Sequence, residues 1–172
     1  MGGLLIKQDL LNELKRIICD NTLIVCIGSP LRSDDRAGLI LCDKLIEKNV
    51  RKIVCEYGLE NCIHDIVNVD PRILLVVDAV YSRKLNPGDI VLVEFNEFNL
   101  EGIEFTSTHS IPLEVVIEII KKITKIEKIY LLGIMVKNID IGLELSFEIE
   151  NSVSKLADLI NSILDKCIEN TS

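Results

Sequence analysis

Tryptophan is absent from this 172-residue chain, aromatics make up only 4% of it, and histidine occurs twice. Because 48% of the residues are nevertheless apolar, the core must be assembled from Ile, Leu and Val, and the composition excludes both disorder and collagen-like repeats. Positive charge is also short: 19 Lys and Arg stand against 27 Asp and Glu, a formal balance of −8. A nucleic-acid footprint needs clustered cations to displace phosphate counterions. Here the cations are scattered, so nucleic acid is not an expected partner. No apolar run reaches the roughly 20 residues that span a bilayer; stretches such as 73–77 and 113–120 are too short or interrupted by charge. Residues 1–5 lack the basic start and long apolar stretch of a secretory signal, and Asp9 and Glu13 follow soon after. The expected location is therefore cytoplasmic, with no membrane partner.

Several catalytic signatures are missing as well. None of the six cysteines (Cys19, Cys26, Cys42, Cys55, Cys62 and Cys167) belongs to a Cys-x-x-Cys pair, which removes support for zinc ribbons and thioredoxin-type redox motifs. In a reducing compartment they are expected to be small buried side chains. Gly28 is followed by Pro30 where a dinucleotide fingerprint needs its second glycine, and no G-K-[ST] occurs. No G-x-S-x-G supplies a serine nucleophile elbow.

What is present is an alternation of apolar periods. Residues 8–19 carry Leu10, Leu11, Leu14, Ile17 and Ile18 on one stripe, as an amphipathic helix does. The run 22–27 (TLIVCI) follows; it is continuous and rich in β-branched residues, as expected of a strand buried on both faces. A turn through Gly28 and Pro30 leads to a helix over about 35–47, then a strand at 52–56, a short helix at 60–69 and a buried strand at 73–77. After an Asn86-Pro87-Gly88 turn, a strand is expected at 89–94 and a helix whose N-cap is Ser110 and whose first-turn proline is Pro112. A strand at 129–135 and a helix over 149–168 complete the pattern. The expected fold is α/β: one three-layer domain spanning 1–172, with a twisted, mostly parallel sheet of about five strands and helices on both faces.

Ligands in such sheets gather beyond the carboxyl ends of the strands. Asp34 and Asp35 follow the first strand, Asp78 ends the third, and His109 precedes the Pro112 helix. Two carboxylates and an imidazole form a reasonable ligand set for a nickel- or zinc-like ion. Structural readings stand beside each. Asp34 is well placed to cap a helix, Asp35 to favour its first turn, and His109 to cap or be solvated. Asp78, ending an apolar run, must be paired, coordinated or at the rim. His64 reads as a surface residue.

The segments Gly28-Ser29-Pro30-Leu31-Arg32-Ser33-Asp34-Asp35-Arg36-Ala37-Gly38, Gly58-Leu59-Glu60-Asn61, Val77-Asp78-Ala79, Leu85-Asn86-Pro87-Gly88-Asp89, Thr108-His109-Ser110-Ile111-Pro112-Leu113 and Leu132-Gly133-Ile134 resemble, in order, those of the nickel-iron hydrogenase maturation peptidases. The likeness is closest to the hydrogenase 3 type branch and spans about 22–166. It implies an endopeptidase that removes the C-terminal extension of the hydrogenase large-subunit precursor after nickel insertion. It also implies that Asp35, Asp78 and His109 are the metal-binding and catalytic residues, and that the nickel is supplied by the substrate rather than held as a permanent cofactor. A monomer is favoured. The chain departs from the family pattern at Ser29, where Asn is usual, at Ser33, often Gly, and at Arg36, usually Gly. The alternatives are a non-catalytic nickel-sensing chaperone of the large subunit, separable by cleavage alone, and a phosphorylase-like small-molecule hydrolase, which would need phosphate- or base-recognising groups at the strand ends.

Overall fold

Seven consecutive buried residues, Thr22–Gly28, form β1 at the heart of the computed structural model, which describes residues 8–46, 50–95 and 111–169. Ahead of it lies α1 (Gln8–Ile18). After it come a 3-10 turn at Ser33–Arg36, α2 (Ala37–Lys44), β2 (Arg51–Glu56), a second 3-10 turn at Leu59–Cys62, α3 (Ile63–Val69), β3 (Ile73–Val80), β4 (Ile90–Glu94), α4 (Leu113–Ile123), β5 (Lys128–Met135) and α5 (Phe147–Glu169). The strand order is β2-β1-β3-β5-β4; all neighbours are parallel except the β4–β5 pair at the edge. This is the expected mostly parallel, five-stranded sheet.

Alternation along the strands divides the core in two. Ile24, Cys26, Leu75 and Val77 face one layer with α1, α2 and α5, while Leu23, Val25, Ile27, Leu74 and Val76 face the other with α3 and α4. Burying each large aliphatic side chain contributes about 1.5–3 kcal/mol, offset by chain entropy. Lys52 closes the carboxyl end of α2, its Nζ donating to the carbonyls of Cys42 (2.7 Å) and Leu45 (3.0 Å), where a cation is favoured by orphan acceptors and the helix dipole.

Two details differ from the expectations. The helix expected at 35–47 starts as the 3-10 turn and stops at Lys44, where Leu45 turns extended and its buried side chain joins the core. The cysteines are not separate thiols: they meet as Cys19–Cys167, Cys26–Cys42 and Cys55–Cys62 disulfides. Sequence spacing could not disclose this, since two of the three pairs join elements brought together only by the fold.

Candidate active site at the ends of β1 and β3

Two glycines decide where the acids sit. A Cβ on Gly38 would lie 2.3 Å from the Ile27 carbonyl oxygen and 3.0 Å from that of Val77, and one on Gly28 would lie 2.3 Å from the Asp35 carbonyl oxygen. With no side chain at either position, the 3-10 turn and the start of α2 rest directly on the ends of β1 and β3. Asp35 and Asp78, the residue after Val77, thereby lie at the carboxyl ends of the adjacent parallel strands β1 and β3, where a sheet of this strand order leaves its crevice.

Both acids are almost wholly enclosed, at 1% and 3% exposure. The Ser29 N–H donates to Asp35 Oδ2 at 3.0 Å, and the Ala79 N–H donates to Asp78 Oδ1 at 2.8 Å. These bonds fix the carboxylates against the backbone. Asp78 does not end its strand, as expected from the apolar run: β3 continues to Val80, and Asp78 pairs in register with Gly133 of β5.

Asp34 is not a helix cap. The residue at the cap position of the turn is Arg32, with no side-chain cap bond, and the fully buried Asp34 carboxylate instead reaches the segment after β5. Its Oδ2 accepts from the Lys137 N–H (3.1 Å), the Asn138 N–H (2.8 Å) and the Ser146 hydroxyl (2.9 Å), and its Oδ1 accepts from the Ser146 N–H (2.6 Å). The loop is fastened elsewhere too. The Val136 N–H donates to the Val80 carbonyl, the Gly142 N–H to that of Leu31, and the Ser33 N–H to that of Gly142. The loop therefore runs from β5 past the end of β3 to the turn after β1, along the mouth of the crevice. Lys137 and Glu148 pair at 3.2 Å; the Glu148 carboxyl lies below the usual range, chiefly through its own backbone N–H and then through Lys137. Sequence reasoning missed this loop, although Ile139, Ile141, Leu143, Leu145 and Phe147 recur with period two, a signal that could have exposed it.

On the other flank, the Tyr57 N–H donates to the Gly28 carbonyl at 2.9 Å, and Tyr57 adopts φ of +68°. The turn at Leu59–Cys62 that follows lies against α4. His109 and Ser110 fall outside the described residues; the cap position of α4 is Pro112. His64 is exposed, its Nε2 3.0 Å from the Asn68 amide nitrogen. Among the described residues no three His, Cys, Asp or Glu side chains form a metal cluster. A groove of about 490 Å³ opens beside Arg36, between Lys44 on α2 and Leu143 and Glu150 across from it.

The comparisons agree with this architecture. The family model HycI, hydrogenase maturation protease, matches residues 58–163. The hydrogenase 3 maturation protease of Escherichia coli K12 is 30% identical over 115 residues, covering 65% of this chain and 70% of that one. The crystal structure of a [NiFe] hydrogenase maturation protease, HycI, from Thermococcus kodakarensis superposes with a TM-score of 0.74 at 25% identity, covering 89% of this chain and 99% of that one. The HybD maturation protease of the same organism superposes with a TM-score of 0.65 at 26% identity, covering 84% and 99%.

Proposed function

This chain belongs to the hydrogenase maturation protease family, and on that premise we propose that it removes the C-terminal extension of a nickel-iron hydrogenase large-subunit precursor once nickel is in place. The observation that supports this reading is the placement of two enclosed carboxylates, Asp35 and Asp78, at the carboxyl ends of the adjacent parallel strands β1 and β3.

Two oxygen donors and, from His109, one nitrogen donor suit a divalent ion of the nickel kind. In this reading the ion arrives on the precursor as part of the substrate, and the three side chains complete its coordination, so loaded precursor is positioned for cleavage and empty precursor is not. Hydrolysis adds water across the scissile amide, leaving a new carboxylate on the mature subunit and a free amine on the released peptide. The bonds from Ser29 and Ala79 to the two acids preset their orientation, so little is lost in ordering them when substrate docks. In this reading the working unit is a monomer.

Mass spectrometry of the cognate precursor, incubated with the protein before and after nickel loading, tests the proposal. Loss of a C-terminal peptide only from loaded precursor is the expected result. Equal cutting of both forms would remove the nickel checkpoint, and complex formation without any cut would make the protein a non-catalytic nickel-sensing chaperone.

A further inference from the structure

Apolar exposure in this molecule is unevenly placed. The three most exposed large apolar side chains among the described residues are Ile141 (89%), Phe147 (80%) and Leu143 (65%), all in or at the end of the one loop that borders the Asp35–Asp78 crevice. Leu31, 55% exposed, lies beside them, because its carbonyl accepts the Gly142 N–H. Tyr57, 52% exposed, stands on the opposite flank, bonded to Gly28. Among the described residues, of the large apolar side chains more than half exposed, only Ile123 lies away from this rim, at the far end of α4.

Such exposure on a loose segment would need no explanation. Here the segment is held in place: Asp34 receives four hydrogen bonds from it, and Leu31 and Ser33 are joined to Gly142 by backbone bonds. An ordered loop that keeps branched and aromatic side chains in water has the character of an interaction surface. Its continuity with the crevice, along the whole span from the end of β3 to the turn after β1, ties that surface to the substrate of the site.

We infer that Leu31, Ile141, Leu143 and Phe147 form the docking surface for the folded body of the large-subunit precursor, against a complementary apolar patch that brings its C-terminal segment to Asp35 and Asp78. The inference rests on the function proposed above. Asp34 acts as a positioning residue, holding the loop while the neighbouring Asp35 faces the chemistry. Selection of precursor is thereby divided: the loop reads the protein surface, and the crevice reads the metal.

The test is to compare wild type with Ile141→Ser/Phe147→Ser, using Ile123→Ser as an exposed apolar control at the far end of the molecule. Binding of nickel-loaded precursor is measured by interferometry, cleavage by mass spectrometry, fold by circular dichroism and oligomeric state by light scattering. The double variant is expected to stay folded and monomeric, to bind precursor about tenfold or more weakly and to show a raised KM with little change in kcat, while Ile123→Ser behaves as wild type. Unchanged binding and KM in a folded double variant would overturn the docking assignment and leave the protease reading intact. A wild-type dimer that the double variant dissociates would reassign the surface to a second copy of the chain. Wild type that neither binds nor cuts loaded precursor would sink the functional reading itself, and the docking assignment with it.

Discussion

Asp34 and Ser146 are 112 residues apart, yet both the backbone N–H and the hydroxyl of Ser146 donate to the Asp34 carboxylate, at 2.6 and 2.9 Å. That contact ties the turn after β1 to the segment leading into α5. It also separates two adjacent acids by partner, since Asp34 is engaged by the loop after β5 and Asp35 by the Ser29 N–H.

Asp34→Ala leaves the N–H groups of Lys137, Asn138 and Ser146 without their shared acceptor. A stability loss of about 2–4 kcal/mol is expected, more than the ~1 kcal/mol of a missing helix cap. Urea unfolding measures it, and Asp34→Asn, which keeps one acceptor oxygen, should fall between wild type and alanine. A loss within ~1 kcal/mol in Asp34→Ala would show that the loop does not depend on this carboxylate.

Asp35→Asn, Asp78→Asn and His109→Ala should each lower precursor processing by about 10³-fold or more, if each supplies a donor to the reacting centre. The two asparagine variants preserve shape at enclosed positions, so their melting temperatures should remain within a few degrees of wild type. Cleavage by mass spectrometry beside a thermal melt separates the possibilities: an unfolded variant points to a structural role, and full processing removes that residue from the site.

Gly38→Ala places a methyl group 2.3 Å from the Ile27 carbonyl oxygen. Main chain cannot yield as a side chain can, so the start of α2 must lift from the sheet, at a cost of about 3 kcal/mol or more. Processing should fall with stability, because the same seat holds the turn that carries Asp35 against the ends of β1 and β3. Calorimetry and the cleavage assay on the purified variant check both, and a wild-type melting temperature would contradict the close approach.

The Cys19–Cys167 disulfide closes a separation of 148 residues, joining the ends of α1 and α5. Loop-closure entropy gives such a link roughly 3–5 kcal/mol of stabilisation. Thiol titration of the denatured, unreduced protein should therefore find no free cysteine, and dithiothreitol should lower the melting temperature by several degrees. Six titratable thiols in the native preparation would contradict the pairing.

Much of the fold was legible in residue order, because a run such as TLIVCI has no stable home except a strand covered on both faces, and the alternating periods of 73–77, 113–120 and 129–135 leave few arrangements other than a layered α/β sheet. The same order marked Asp35 and Asp78 as strand-end acids, and their segments carried the family resemblance. Chain order alone could not show that β3 runs on past Asp78 to Val80, since the limit of a parallel strand is set by its neighbour, here β5. Nor could it show that Asp34 serves a loop instead of a helix: a cap is a local contact that spacing predicts, whereas its bonds to Lys137, Asn138 and Ser146 exist only after the sheet has closed. The disulfide partners and the apolar rim beside the crevice were decided in the same way. Composition supplied the cysteines and the period-two aliphatics, and only long-range packing determined which sulfurs meet and which side chains are left facing water.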